Sequence, residues 1–363
     1  MNIDNEIMNT NIEITNIYTH FFSNTNLLDK DDENFKNQYK TKLINYCFYS
    51  INEANISDKI KNIPYYSNNF AVIEDYDFVN ISQLNENIIE KLNLYENKYL
   101  IFKYKNEQLI KFNDFIFNFT NPKLFIFHII ESFSYLLQSL IILNNNDICF
   151  FNLSPKNINF NLDCGEKPFI KNFQLSLQVL KLNESYITNI INKSNDYSHK
   201  PLEVHILFYL IKNNFNTISY SFIEEVCEKF IHNLSILNLF SEKYKENYKI
   251  SCIEYLKQYI NKSKSDIIID ILKQNNKWDV YSLSVLYLHI FGNISKVFSL
   301  KNTFISKITV ELSKNIHPEP SKRGSLEKLS ENLNKLFRLE KEWSFVNKLQ
   351  SNMMIQLCDI LGE

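Results

Sequence analysis

The sequence predicts an α+β protein with a small mixed N-terminal part and a larger, mainly helical C-terminal part. Strand-like runs are concentrated early in the chain, whereas nearly every segment after about Tyr197 has helical periodicity. A chain of 363 residues can bury one large core or two smaller ones without a disulfide or metal. We place the boundary near Lys103–Phe112 and expect domains at 1–104 and 105–363.

The N-terminal part is predicted to combine a helix with two strands. The helix-like run NYCFYSINEANISDKIKNI precedes the strand-like runs NFAVIEDYDFV and NKYLIFKY. Residues 105–121 follow as a loop and a short helix.

The C-terminal part begins with a long apolar helix at Leu124–Leu143. Its polar residues His128, Glu131 and Gln138 favour a core helix over a membrane span. Two short extended runs, Asn157–Leu162 and Pro168–Phe173, then flank a turn at Asp-Cys-Gly. Further helical patterns are SFIEEVCEKFIHNLSIL, CIEYLKQYI and the amphipathic SLEKLSENLNKLFRLEKEW.

Composition argues against several kinds of partner and site. The 39 basic and 41 acidic residues balance, which disfavours a nucleic-acid interface or a polybasic membrane patch. The six cysteines show no CxxC pair and the seven histidines no HExxH spacing, so we expect free thiols and no metal site. MNIDNEIMNTN lacks the apolar core of a signal peptide, and a cytoplasmic location is expected.

The rare residues carry more information than the common ones. Two alanines, four glycines and two arginines stand against 37 lysines, a bias typical of an A/T-rich genome. Asn and Ile are therefore weak structural signals here, whereas each Arg, Gly or Pro has been kept against that bias.

The segment FFNLSPKNI, Phe150 to Ile158, resembles the protein-kinase catalytic loop H-R-D-L-x-x-x-N. Leu153 and Asn157 match the motif, and Pro155 falls where kinases commonly have a proline. Phe150, Phe151 and Asn152 occupy the H-R-D places. Twenty residues after Asn152, Asn172-Phe173-Gln174 stands where kinases carry D-F-G.

Two later segments extend the resemblance. Trp278 to Leu283 is similar to the start of the central helix of the kinase large lobe, which implies that Asp279 holds the backbone of the loop. HPEPSKRGSLEKL resembles the D-P-x-x-R segment, which implies that Arg323 pairs with the Glu of A-P-E. KPLEV offers Glu203 for that pair, although Leu202 intervenes after Pro201.

The resemblance covers roughly Asn69 to Phe337 and implies a protein-kinase-like bilobal fold, with a small mixed N-lobe and an enlarged, mainly helical C-lobe. The 75 residues between Glu203 and Asp279 predict a helical insertion at about 204–278.

The groups that phosphoryl transfer requires are replaced in this sequence. Asn152 stands at the base position, where an amide cannot take a proton near neutral pH. Asn172 stands at the metal position and offers a neutral oxygen to a cation that prefers carboxylates. Ser154 replaces a common loop lysine. The first glycine is Gly165, so no glycine-rich loop precedes the catalytic loop.

The ion pair of the small lobe is not fixed by the sequence. Lys40, Lys42 and Lys103 are all candidates for the lysine, and Glu53 is a candidate for the glutamate of the first helix.

We therefore assign no catalytic residue and treat Asn152, Ser154 and Asn172 as degenerate positions. Asn157 and Asn172 are the candidates for any remaining contact with ATP or Mg²⁺, although Asn157 is the better candidate for a structural role. The residues expected to shape the large lobe are Leu153, Pro155, Asn157, Glu203, Asp279 and Arg323.

This pattern favours a pseudokinase that acts as a scaffold or interaction module, without a cofactor. One alternative is a divergent serine/threonine kinase or a nucleotide-binding protein that uses ATP and Mg²⁺. Another is a structural component of a large assembly such as a virion, since FNLSPKNI, NFQLSL and KPLEVH resemble degenerate kinase-like proteins of large DNA viruses. Expected partners are proteins, bound through the insertion, and neither nucleic acid nor membrane.

Overall fold

The computed structural model describes residues 38–339, apart from 85, 92–93, 118–120, 164, 195–196, 298 and 301–302. The chain divides into two compact units, one reaching to Leu109 with the addition of Asn161–Gln174, the other comprising Ile110–Phe160 and the residues from Leu175 onward. The predicted mixed α+β class is confirmed. The end of the predicted C-terminal helix beyond Leu339 and the N-terminal extension lie outside the described residues.

The first unit is built on an antiparallel sheet of β1 (Tyr39–Asn45), β4 (Lys98–Lys105) and β3 (Asp75–Asn80), with β4 in the middle. The central strand reads KYLIFKYK, and its residues 99–102 are all buried because both of its edges and both of its faces are covered. In the register, Lys42 on β1 and Tyr76 on β3 both lie opposite Phe102.

Helix α1 (Phe48–Lys61) packs on one face of this sheet. Its Ala54 joins Ile73, Leu100 and Phe102 in a buried cluster. Alternation along a strand places every second side chain on the same face. The β1 residues that face α1 are therefore those in step with Ile44, which packs against the cluster.

Smaller elements complete the first unit. A short parallel pair joins β2 (Phe70–Ala71) to β8 (Lys167–Lys171), and α2 (Glu86–Lys91) lies between β3 and β4 in the chain. The ring of Phe173, just after β8, packs edge-on against Phe70 with centroids 6.2 Å apart.

Helix α10 (Trp278–Val297) forms the centre of the second unit, and nearly all of its side chains are buried. Helix α4 (Pro122–Asn145) packs beside it, where the hydroxyls of Ser132 and Tyr287 lie 2.8 Å apart. The stretch Leu124–Asn145 is long and apolar enough to cross a membrane, and somewhat more than half of it is buried in the unit.

Short elements frame the loop that follows α4. Strand β5 (Leu109–Lys111) leads into α3 (Phe112–Phe117) and lies beside β7 (Ile158–Asn161), while β6 (Ile148–Cys149) pairs with β9 (Leu177–Gln178). Residues 150–157, which we call the 150–157 loop, therefore connect two strands at fixed positions.

The remaining helices of the second unit follow in chain order. They are α5 (Glu184–Lys193), α6 (Leu202–Lys212), α7 (Tyr220–Asn233), α8 (Glu242–Leu256), α9 (Lys264–Leu272), α11 (Phe304–Lys314) and α12 (Leu326–Leu339). Serine starts three helices of the predicted insertion: Ser219, Ser241 and Ser263 each accept a backbone N–H of the first turn.

The segment predicted to be an insertion packs into the core of the second unit. Tyr248 on α8 donates its hydroxyl to the Ile316 carbonyl at 2.7 Å. Leu239 lies directly over Gly292 of α10, and a Cβ added at that glycine would come within 2.1 Å of Leu239 Cδ1. A glycine kept in the middle of a helix, where it costs stability relative to alanine, is thus explained by a close side-chain approach.

Candidate functional site

The 150–157 loop is held by a carboxylate of the central helix. Asp279, in the first turn of α10, accepts the Phe150 N–H at 2.7 Å and the Phe151 N–H at 2.8 Å, one on each oxygen. The Asp279 side chain is buried, and burial raises its pKa, against which the two N–H donors and the charge of Lys200 act.

Phe151 has an unusual backbone conformation. Its φ is 61°, in the left-handed region that large side chains rarely adopt. The centroid of the Phe151 ring lies 5.4 Å from that of the Trp278 ring. The Lys200 ammonium lies 3.8 Å from the same Phe151 centroid. A strained residue of this kind persists where its surroundings fix it from several directions.

Side chains within and beside the loop hold its other backbone groups. The Asn157 amide donates to the Asn152 carbonyl at 2.8 Å, and the Ser176 hydroxyl donates to the Phe150 carbonyl at 3.0 Å. Pro155 opens a short 3₁₀ turn at Pro155–Asn157, and the Leu153 side chain is buried. Asn157 therefore holds the backbone of the loop at Asn152.

The positions where a kinase has its base and its metal ligand carry amides. Asn152 is half-buried in the second unit, and Asn172, with φ of 64°, is half-buried in the first. The Ser154 side chain, in place of a lysine, is buried. A neutral amide is neither a base near neutral pH nor a good ligand for Mg²⁺, so these residues do not fit a metal-bound nucleotide. Within the part of the chain that the structure describes, no three His, Cys, Asp or Glu side chains form a metal-binding group.

Arg323 and Glu203 form a bidentate ion pair that is fully buried. The two distances are 2.7 Å from Nη1 to Oε1 and 2.9 Å from Nη2 to Oε2. The guanidinium also donates to the carbonyls of His317 and Pro318 and lies 4.9 Å from the Tyr281 ring centroid. A planar fork that uses all these acceptors at once cannot be replaced by a lysine, which gives a reason for an arginine in a lysine-rich chain.

In the first unit, Glu53 lies on the face of α1 that meets the sheet. Burial raises its pKa to about 7, although a hydrogen bond from the Phe173 backbone N–H and the charge of Lys42 act in the opposite direction. The neighbouring Asn52 donates its side-chain amide to the Gln174 carbonyl at 3.1 Å. These contacts bring the residues after β8 onto α1.

The structure separates the three candidate lysines. Lys42 is in step with Ile44 on β1, and its charge acts on Glu53, but its side chain is exposed. Lys40 is also exposed. Lys103 on β4 is partly buried, with its ammonium 4.2 Å from the Tyr39 ring centroid, and burial lowers its pKa while Asp75 and Glu74 raise it. Of the three, Lys42 is the lysine whose charge acts on Glu53.

Neither Lys200 nor Ser176 is marked by the sequence. Lysine is among the residues least often found buried, and nothing in KPLEV sets Lys200 apart from the other lysines. Ser176 has no sequence signal at all, since a single serine among many is uninformative.

Comparisons with known proteins give little further identification. No family model matches the chain, and no curated protein matches it. Among solved structures the chain is similar to "Twitchin kinase region from C.elegans (Fn31-NL-kin-CRD-Ig26)", with 10% identity and a TM-score of 0.44. The similarity covers 89% of this chain and 45% of that one, so this chain spans less than half the length of the solved structure.

Proposed function

We propose that this chain is a protein-kinase-like protein that has lost phosphoryl transfer and serves as a scaffold or interaction module. The observation that carries the proposal is a contrast within the motifs. The carboxylate and the guanidinium that shape the large lobe of a kinase have their partners here, through Asp279 and Arg323. The base and metal positions hold Asn152 and Asn172.

Two pairs of contacts support the kinase-like fold. The first joins Phe150 of the loop to Asp279, which is 129 residues away in the sequence. The second joins Glu203 to Arg323, which is 120 residues away. Each contact was expected from a pair of short segments: the loop with Trp278–Leu283, and KPLEV with HPEPSKRGSLEKL, where Leu202 interrupts the match to A-P-E. Two independent long-range contacts of this kind are hard to obtain by chance in an unrelated fold.

The loss of chemistry follows from what the two asparagines can do. Phosphoryl transfer needs a carboxylate to orient and accept the hydroxyl proton and a second carboxylate to hold Mg²⁺. An amide keeps the shape of each carboxylate but has neither its charge nor its basicity. The loop is therefore kept as a structural connection between the helices and strands of the second unit.

Thermal unfolding with ATP and Mg²⁺ tests this proposal. A ligand that binds the native state raises its stability by about 2.7 kcal/mol when present at 100 times its dissociation constant. We expect no Mg²⁺-dependent rise in the unfolding midpoint at millimolar ATP. An Asn172→Asp variant is the matched comparison, since it restores one metal ligand without changing side-chain size.

A Mg²⁺-dependent rise in the wild-type midpoint that the Asn152→Ala and Asn172→Ala variants abolish would contradict the proposal. It would instead favour a nucleotide-binding protein or a divergent kinase.

The scaffold role predicts a partner-binding surface on the insertion at 204–278. Its described residues include exposed apolar side chains that the core does not use, among them Ile250 on α8, which is 53% exposed. We expect Ile250→Ser to weaken the binding of a protein partner isolated with the wild-type chain. Val310→Ser on α11 is the control, since Val310 is 56% exposed and lies outside the insertion. Equal binding by wild type and both variants would remove the insertion surface around Ile250 from consideration.

A further inference from the structure

The start of helix α10 holds two separate stretches of the second unit. Asp279 accepts the backbone of the 150–157 loop, as described above. One turn later, Ser282 donates its hydroxyl to the His199 carbonyl at 2.7 Å. Residues three apart on a helix lie on the same face. The 150–157 loop and the residues before α6 are therefore both hydrogen-bonded to one face of α10.

Residues 197–200, which we call the 197–200 segment, have further contacts of their own. The Lys200 N–H donates to the Tyr197 carbonyl at 3.0 Å, and the Tyr197 hydroxyl donates to the Ser194 carbonyl at 2.6 Å. His205 Nε2 lies 3.2 Å from the same Tyr197 carbonyl. Burial lowers the pKa of His205 to about 4, so its ring is neutral near neutral pH and donates this bond.

Lys200 connects the two stretches to each other. Its side chain is 4% exposed, and its ammonium lies 3.8 Å from the Phe151 ring centroid. A cation is attracted to the face of an aromatic ring, and the attraction grows when water is excluded. The charge of Lys200 also acts on the buried carboxylate of Asp279, so cation, ring and anion lie together at the start of α10.

We propose that Lys200 holds the 197–200 segment against Phe151 through a cation–π contact. This contact stabilises the left-handed backbone of Phe151 in the 150–157 loop, and it requires no phosphate group. In some proteins a loop becomes ordered only when it is phosphorylated and the phosphate group pairs with a cationic side chain elsewhere in the protein. Here the cation belongs to the segment itself, and its ammonium lies against the face of the Phe151 ring. The arrangement is complete within the unmodified chain.

This inference concerns contacts inside the second unit and does not depend on whether the chain binds nucleotide. A failure of the test below therefore leaves the proposed function standing, and the reverse is also true.

Hydrogen exchange of the full chain, followed by mass spectrometry, tests the proposal. The protein is first shown to be unphosphorylated by its intact mass. In Lys200→Met we expect the peptides covering residues 148–152 and 197–203 to exchange at least about tenfold faster, because opening these contacts costs less free energy. The peptide of strand β4, in the other unit, is expected to be unchanged.

Two further variants separate charge from packing. Lys200→Arg keeps a cation that stacks on rings and is expected to exchange like the wild type. Lys156→Met removes an exposed lysine from the same loop and is also expected to match the wild type. If Lys200→Met does not fold, Phe151→Leu removes the ring while keeping an apolar side chain, and the same local acceleration is expected.

Three results would overturn the proposal. The first is unchanged protection of both peptides in Lys200→Met and in Phe151→Leu. The second is a uniform acceleration that includes β4, which would mean that Lys200 only adds general stability. The third is a phosphorylated wild-type protein whose two peptides lose protection after phosphatase treatment.

Discussion

The two units differ in how deeply their oppositely charged side chains are buried. In the second unit, Glu203 and Arg323 form a bidentate pair with both side chains fully buried. In the first unit, Glu53 lies against the sheet with a raised pKa, and Lys42, whose charge acts on it, is exposed. The charged pair of the second unit is thus closed inside a helical core, whereas the lysine whose charge acts on Glu53 stays exposed to solvent. The difference agrees with the proposal that the chain retains a fold without phosphoryl transfer.

The largest expected effect comes from breaking the buried pair. Arg323→Met leaves the Glu203 carboxylate buried without its partner, and we expect a loss of about 3–5 kcal/mol in the free energy of unfolding. Arg323→Lys keeps the charge but loses the fork and should cost less. Urea unfolding followed by tryptophan fluorescence, to which Trp278, buried in the same unit, contributes, measures both. A loss below about 1 kcal/mol in Arg323→Met would show that the pair does not support the second unit.

The next effect tests the carboxylate that holds the loop. Asp279→Asn keeps one carbonyl oxygen for two backbone N–H groups and leaves Lys200 without its buried anion. We expect a loss of about 2–3 kcal/mol, because an unsatisfied buried donor costs its full desolvation. Asp114→Asn, an exposed change in α3 of the same unit, is the control and should be neutral. Equal stability of the two variants would contradict the role given to Asp279.

The first unit should instead show a pH dependence. The Glu53 pKa is about 7 in the folded chain and near 4.5 when unfolded, so the folded state holds a proton that the unfolded state releases. The stability of this unit should therefore fall, by up to about 3 kcal/mol, as pH rises from about 4.5 to about 7, and it should stay level above that. Glu53→Gln should remove this fall.

Hydrogen exchange of β4 amides at several pH values measures the opening of the first unit. Parallel pH curves for the wild type and Glu53→Gln would mean that Glu53 titrates normally in the fold.

The smallest effect is expected at the exposed member of that pair. Lys42→Met should change the stability of the first unit by less than about 0.5 kcal/mol at pH 5, as is usual for an exposed charge. Near neutral pH it should shift the fall in stability to slightly higher pH, because Lys42 acts to lower the pKa of Glu53. A loss comparable to that of Arg323→Met would mean that the two units do not differ in the way described above.

How much the sequence could predict depends on which residues are rare in it. Arg323 stood out as one of two arginines, and its motif pointed to a carboxylate partner. Asp279 stood out through its position in Trp-Asp-Val-Tyr-Ser-Leu. The long helices were predictable because their apolar residues recur with helical spacing over many turns, as in α4 and α10.

Other features were hidden by the same composition. Lys200 is one of 37 lysines, and only its burial and its distance from the Phe151 ring distinguish it from the rest. The left-handed backbone of Phe151 could not be foreseen, because a phenylalanine normally avoids that conformation. The integration of residues 204–278 into the core also depends on long-range packing, such as that of Leu239 on Gly292, which leaves no local pattern.

We propose that the 150–157 loop retains the shape of a kinase catalytic loop but does not support phosphoryl transfer. The most direct measurement is transfer of radioactive phosphate from γ-labelled ATP, with Mg²⁺ or Mn²⁺, to the chain itself and to a general protein substrate. We predict no incorporation above a blank, and the same result for wild type and Asn152→Ala. Incorporation by the wild type that Asn152→Ala abolishes would contradict the claim, since it would show that the asparagine at the base position still takes part in phosphoryl transfer.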